Sequence, residues 1–458
     1  DNATATGTNT AAVTVVNVAP AAEFTVSAVS LNEGGTLTMT GSFTDIGTPD
    51  THSVTVVWDD PNAADSVFAL GATSGLSVGN TFTSTGADTT TVLTISSVNL
   101  TTGKVTFTVA HQYRDNTAAD VQLTVADDDG GTITAAITAV NVLNVAPVAV
   151  NDSGLAYTTN EDTVLTVPVT GVLSNDTDAS TLDTLVVTTF SGRSALGANI
   201  VLNANGSLSY DPTVSAYLQT LVTGESVQDS FTYTVSDGDG GSATATVTVT
   251  ITGQGAIEID MTKQFPSPFA ADPGNNATGD TTVVQMNGTD LQIFVNGILL
   301  RNVPASALTG SGGLHDISFT GSGDNDTLVL NKLTSTNIRN VTADAGGGSD
   351  TIFLANTVSV QGSLNLTAEA VNIYTNITST GDQTYNGAVN LGASVTLTGA
   401  NVSMTGATVA LNDKLLTVAV TGSTGSIAGI ISGTGGQLTK SGAGTFTLSG
   451  ANTYTGTT

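Results

Sequence analysis

The sequence predicts an all-β chain, two sandwich modules followed by a parallel β-helix (solenoid). Three observations predict it. Apolar and polar residues alternate with period two along most of the chain, as in half-buried strands. Helical spacing is almost absent; Ala216-Tyr217-Leu218-Gln219-Thr220-Leu221 can make one short turn of helix. Asn17-Val18-Ala19-Pro20 recurs as Asn144-Val145-Ala146-Pro147, each copy after a Thr/Ala/Val run, which marks repeated module boundaries.

Charged residues are 10% of the 458, against about 25% for an ordinary soluble domain. Nine basic residues against 38 acidic ones give a net charge of −29. That argues against nucleic acid, whose binding rests on clustered Lys and Arg, and against adsorption to anionic lipid. It permits divalent cations, which take carboxylate oxygens. With no cysteine, each module must fold without disulfides. No apolar run approaches the roughly 20 residues of a membrane helix, so no direct membrane insertion is expected of this stretch.

Residues 1–19 read as the last strand of a preceding, truncated module. Residues 20–146 form the first complete unit. Thr36-Leu37-Thr38-Met39-Thr40, Val54-Thr55-Val56-Val57-Trp58 and Val105-Thr106-Phe107-Thr108-Val109 alternate, with threonine outward because a β-branched residue suits a half-solvated pleat. Residues 61–91 carry an extra hairpin or loop. Residues 147–254 form the second unit. Both units place an Asp-rich D-x-D-G-G turn before their last strand, at Asp127–Gly131 and Asp237–Gly241, where a tight hairpin wants glycine.

From about 255 the texture changes. Gln264-Phe265-Pro266-Ser267-Pro268 reads as a linker, and Val283–Leu300 as a hairpin around Asn287-Gly288. Residues 255–313 are thus linker plus hairpin. From 314 to 458, short apolar triplets such as Leu328-Val329-Leu330, Ile352-Phe353-Leu354 and Leu364-Asn365-Leu366 recur between Gly, Asn, Ser and Thr. Asp326 and Asp350 lie 350 − 326 = 24 residues apart, a length suited to one solenoid turn. A coil cannot bury its apolar face alone and must stack on the next.

Several motifs resemble known families. Leu438-Thr439-Lys440-Ser441-Gly442-Ala443-Gly444-Thr445-Phe446-Thr447-Leu448-Ser449-Gly450-Ala451-Asn452-Thr453-Tyr454-Thr455-Gly456 is similar to the passenger-associated repeat of autotransporters, which implies a β-solenoid stalk on an exported bacterial surface protein. The repeat stops mid-unit at Thr458, which points to a fragment of a longer protein. The first unit, with Gly41-Ser42-Phe43-Thr44-Asp45, Trp58-Asp59 and His111-Gln112-Tyr113, resembles PKD-like immunoglobulin sandwiches. Its Trp58-Asp59-Asp60-Pro61 departs from the family's W-G-D-G turn. The second, with Asn160-Glu161-Asp162, Asn175-Asp176-Thr177-Asp178 and Ser236-Asp237-Gly238-Asp239-Gly240-Gly241, resembles the cadherin-like tandem modules of large bacterial adhesins. That likeness implies calcium at the sandwich ends, with Asp152, Glu161, Asp176, Asp178, Asp237 and Asp239 as candidate ligands. The plainer reading makes them turn residues and strand terminators. The junction Asn141–Pro147 lacks the acidic residues of cadherin linkers.

Gly321–Leu328 and Gly346–Ile352 resemble the nonapeptide of calcium-binding β-rolls, but that site needs tandem nonapeptides. A polar turn repeated on successive coils is the reading adopted. Catalysis finds little support: three histidines show no H-x-x-x-H spacing, and no basic residue accompanies an acidic cluster in a recognisable pattern. Trp58 reads as core rather than as a sugar platform.

The expected function is a non-catalytic structural stalk or adhesive segment of a long exported bacterial cell-surface protein, anchored at the outer membrane in its full-length form. Its partners would be other cells, surface glycans or matrix. The alternative is a carbohydrate-binding module array of a secreted polysaccharide-processing protein.

Overall fold

The computed structural model describes residues 16–263, 265–266, 279–308 and 314–458. Residues 1–15 of the expected leading strand, and Gln264, Ser267 and Pro268 of the expected linker, lie outside them. The chain is all-β, with two sandwiches and a solenoid of about six turns. No helix among the described residues is long and apolar enough to cross a membrane. Two compact units are formed: 1–149 with 176–186 and 235–243, and 150–175 with 187–234 and 244–458.

In the first unit, one sheet runs in the order Ala21–Val26, Thr36–Thr44, Lys104–Gln112, Val92–Asn99, Thr81–Thr83. The other runs Ser30–Asn32, Thr138–Leu143, Thr117–Asp127, Thr51–Val57, Ser66–Ala72. The alternation read from the sequence is the reason: Leu37, Met39, Val54, Val56, Val105, Phe107 and Val109 all point between the sheets and are buried. Trp58 is fully buried there. Its Nε1 donates to Ser66 Oγ at 3.0 Å, and its carbonyl accepts from Tyr113 Oη at 2.7 Å, so the polar atoms of both rings are satisfied in the core. Ser66–Ala72 lies in the segment expected to hold an extra hairpin, and it extends the second sheet by pairing with Thr51–Val57.

In the second sandwich a sheet ordered Thr158–Asn160, Ser242–Thr252, Ser226–Ser236, Val186–Phe190 faces one ordered Leu165–Val167, Leu208–Asp211, Asn199–Leu202. The expected helical turn is a 3-10 turn at Leu218–Thr220. Within the second unit, Ala216 and Val222 of this sandwich share one buried cluster with solenoid residues from Ile257 to Leu438. Arg301 joins them from the solenoid side, with Nη2 2.7 Å from Glu225 Oε2 and the guanidinium over the Tyr217 ring at 5.2 Å.

The parallel ladder begins before residue 314: Ile257–Asp260 pairs in parallel with His315–Thr320, and Thr281–Asn287 with Thr327–Asn331. The sequence hides this first rung because its partner lies far along the chain and it carries only two apolar residues. The Asn287-Gly288 hairpin forms, with Gly288 at φ +65°. Thereafter each coil contributes strands to three parallel stacks. Leu328, Ile352, Val371, Val389, Val409 and Ile431 form one interior column. The period is irregular: bonded residues on adjacent coils are 24 apart at Asp326 and Asp350, 19 at Ser363 and Asp382, and 23 at Asn401 and Thr424. Varied turns absorb the difference, so the rungs stay in register while the sequence repeat blurs. In the last coil a Cβ on Gly450 or Gly456 would stand 2.2 Å from the carbonyl oxygen of Gly429 or Gly436 beneath. Coils pack that closely only without side chains there.

The polar turn expected at Asp326 and Asp350 becomes a carboxylate ladder. Asp280 N–H donates to Asp326 Oδ1 at 3.1 Å, Asp326 N–H to Asp350 Oδ1 at 2.8 Å, and Asp350 N–H to Glu369 Oε2 at 2.9 Å.

Candidate metal centre

Two overlapping groups of carboxylates lie within the first unit. Glu33, Asp115 and Asp183 have ligand oxygens within 4.8 Å of one another, and so do Asp178, Asp183 and Asp237. Asp183 is common to both. Local hydrogen bonds hold each acid in place. Glu33 follows the short strand Ser30–Asn32, and its Oε1 accepts Val145 N–H at 2.7 Å. Asp115 sits in the turn after Lys104–Gln112 and accepts Asn116 N–H at 2.9 Å. Asp178 Oδ1 accepts Ser180 N–H at 2.9 Å, and Asp183 Oδ1 accepts Ser180 Oγ–H at 2.9 Å. Asp237 Oδ1 accepts the N–H groups of Asp239 and Gly241 at 2.9 and 3.0 Å, while its Oδ2 accepts Asn144 Nδ2–H at 3.0 Å.

The remaining oxygens carry the chemistry. Glu33 Oε2, Asp178 Oδ2, Asp183 Oδ2 and Asn144 Oδ1 are buried and accept no hydrogen bond. Glu33 is 3% exposed and Asp237 4%. Among the described residues no lysine, arginine or histidine pairs with any of the five acids. Burial pushes the Glu33 carboxyl up, and Asp183, Asp178 and Asp115 add to it by repulsion. Asp183 is raised for the same reasons, burial first. At Asp237 burial works upward too, but Asn144 and two backbone N–H groups overcome it and hold the group below its ordinary value. Unpaired oxygens of this kind are costly when buried. A hard cation that takes six to eight oxygens, as calcium does, fits this donor set.

The two sandwich sequences build this end in the same way. Ala21 pairs with Thr44 just before Asp45, and Val148 bridges Thr177 just before Asp178. Asp45 Oδ1 accepts Gly47 N–H at 2.8 Å, matching Asp178 and Ser180. Asn17 Nδ2 donates to Asp127, as Asn144 does to Asp237. Asp50 therefore corresponds to Asp183. Where the second sequence has Leu185, the first has His52, whose Nε2 lies 3.0 Å from Asp45 Oδ2 in the buried interior. Glu33 corresponds to Glu161, whose Oε1 accepts Gln254 N–H at 2.6 Å and whose Oε2 is likewise buried without a partner.

Of the six residues expected from the sequence, Asp178 and Asp237 come together. Glu161 occupies the position in its module that Glu33 holds in the first, and burial raises its carboxyl. Asp152 Oδ1 accepts Tyr157 Oη–H at 3.0 Å. Asp239 is exposed and Asp176 half-buried; among the described residues neither belongs to a cation-sized group. Glu33, Asp115, Asp183 and Asn144 were not among the expected residues. The repeated D-x4-D spacing (Asp45/Asp50, Asp178/Asp183) and the recurring N-V-A-P asparagine are the signals that could have found Asp183 and Asn144. Asp115 has no such signal.

His111 pairs with buried Asp60 at 2.9 Å and stacks on Trp58 at 4.9 Å. Ser66 Oγ, also near Trp58, donates to Asp88 at 2.7 Å. These histidines are structural members of the first core.

Residues 144–253 match the family model of the bacterial cadherin-like domain, and residues 438–458 that of the passenger-associated-transport-repeat. The chain carries both modules, which are those of exported surface proteins of the autotransporter-passenger, adhesin kind. Among solved structures, it is similar to one described as fibronectin(III)-like modules of Clostridium thermocellum CbhA, at 13% identity, covering 51% of this chain and 95% of that chain with a TM-score of 0.16. The sandwich assignment rests on strand order, not on that likeness. No curated protein matches the chain.

Proposed function

We propose that this chain is a non-catalytic, calcium-stiffened structural and adhesive segment of an exported bacterial cell-surface protein. One observation carries the reading: five carboxylates gather, three of them (Glu33, Asp178 and Asp183) with a buried, unpartnered oxygen, and with no basic partner among the described residues. Glu33, Asp115, Asp178, Asp183 and Asp237 would hold the ion. It would neutralise their repulsion and tie segments 176–186 and 235–243 to the first sandwich. The cadherin-like match supports the choice of calcium, since such domains commonly bind it. The solenoid supplies length through stacked backbone ladders. Anchoring at the outer membrane belongs to the same reading, supported by the passenger repeat, as does adhesion to other cells, surface glycans or matrix.

Calorimetric titration of the EDTA-treated full chain with calcium chloride tests it. Saturable binding and a higher melting temperature are expected. Absence of binding heat together with identical melting in EDTA and calcium overturns the calcium role.

A further inference from the structure

We infer that the solenoid carries a binding site for neutral glycans on one flank, centred on Tyr374 and Phe353. This rests on the adhesive reading above and names its ligand class, but it is independent of the calcium site, because all its residues lie in the second unit.

Along this flank the outward side chains of successive coils fall into columns. Val283, Val329, Phe353, Asn372 and Asn390 share one column through the parallel register. Tyr374 lies beside it, its N–H bonded to Leu354 O at 3.0 Å. The Phe353 and Tyr374 rings stack with centroids 6.3 Å apart and planes inclined by 27°. Tyr374 is 48% exposed, so the pair presents an aromatic surface to solvent rather than to the core. On the next coil sits Gly392. A Cβ there would stand 2.1 Å from Tyr374 Cε1. The missing side chain is what lets the ring lie along the coil stack.

Planar amides flank the rings. Asn390 Nδ2 donates to Asn372 Oδ1 at 3.1 Å, and Asn331 Nδ2 to Gln285 Oε1 at 3.0 Å, with Asn356 Nδ2 bonded to Asn331 Oδ1. Asn331 uses both arms of its amide, whereas Asn372, Asn390 and Asn356 each use one in these ladders. Asn372 Nδ2 and Asn390 Oδ1 are left as a donor and an acceptor on adjacent strands, held at strand spacing, about 4.8 Å, and Asn356 Oδ1 adds an acceptor from the bend after Thr351–Leu354.

Flat rings beside fixed neutral donors and acceptors suit a ligand with apolar C–H faces and a rim of hydroxyls, which is a sugar chain. Val283 and Val329 continue the column on one side of Phe353, and the amides of Asn372 and Asn390 continue it on the other, so apolar and hydrogen-bonding surface lie side by side. The net charge of −29 works against polyanions, nucleic acid and sulfated chains alike. The ligand class that fits is therefore an uncharged polysaccharide lying along the coil axis.

The test is native affinity electrophoresis of the full chain through gels containing a β-glucan, a mannan, a galactomannan or, as a polyanion, alginate. Retardation in at least one neutral gel is expected. Tyr374→Ala should weaken it tenfold or more, and Tyr374→Trp should keep it. Gly392→Ala should weaken it by displacing the ring, with circular dichroism and melting temperature unchanged. The proposal is overturned if no neutral gel retards the protein, if Tyr374→Ala and Gly392→Ala run like the parent while folded, or if alginate alone retards it, which would assign binding to exposed Lys332 instead.

Discussion

Asn144 Nδ2 donates to Asp237 Oδ2 at 3.0 Å across 93 residues of sequence. Asn17 holds Asp127 in the same way, with Nδ2 3.2 and 3.0 Å from its two oxygens. The asparagine of the recurring N-V-A-P motif is thus a clasp on the D-x-D-G-G turn, and at Asp237 the clasped carboxylate is also a member of the candidate cation site.

Removing the clasp should destabilise the first unit. Asn144→Ala leaves Asp237 short of a charge-assisted bond, which costs about 1.5–3 kcal/mol. Urea unfolding should show a lower midpoint with an unchanged slope. Asn144→Asp should be worse in EDTA and recover part of the loss in calcium, since it adds a carboxylate beside the ion.

Asp183 belongs to both carboxylate groups, and Asp239 to neither. At calcium a hundred times its Kd, the parent should gain about 2.7 kcal/mol. Asp183→Asn should abolish most of that gain in thermal melts, whereas Asp239→Asn should leave it nearly intact. Equal calcium shifts in both variants would count against the assignment.

Without calcium the pH dependence should have a definite sign. Glu33 and Asp183 are raised in the folded state, so the native protein holds more protons than the unfolded chain over the interval between their unfolded and folded values. Their contribution is intact below the ordinary carboxylate range, about pH 4, and is lost as pH rises through the folded values. Melting in EDTA should therefore fall between pH 4 and neutrality from this source. Calcium should cancel that fall, because the ion favours the ionised form.

In the solenoid, burial first and then Glu369 and Asp326 raise the Asp350 carboxyl. Asp350→Asn keeps an acceptor for Asp326 N–H and removes the repulsion, so stability should be unchanged or higher at pH 7. Asp350→Ala orphans that buried N–H and should cost about 1–3 kcal/mol. Chemical denaturation of the two variants checks the contrast.

A single interior residue of a coil should also matter. Ile352→Ala opens a cavity in the column between Leu328 and Val371, where burial is complete. The expected cost is about 2–5 kcal/mol. Hydrogen exchange should place the loss in adjacent coils, since each contacts only its neighbours.

Much of the fold was legible because it depends on local pattern. Thr36–Thr44 and Lys104–Gln112 show their inward faces residue by residue, and Trp58 reads as core because its strand alternates. The Asn287-Gly288 turn is local chemistry. The first rung at Ile257–Asp260 was not legible, since a parallel partner leaves no trace nearby.

The sequence by itself determined the strands, the turns, the acidic balance and the glycines that let coils approach, because those follow from side-chain period, φ and size. Tertiary structure decided which acids meet. Asp178 and Asp237 find Glu33, Asp115 and Asp183 only when segments far apart in the chain fold into one unit, and Tyr374 meets Phe353 only when coils stack. Convergence of oxygens or rings is a property of distances in space, and a string of residues carries no such distances.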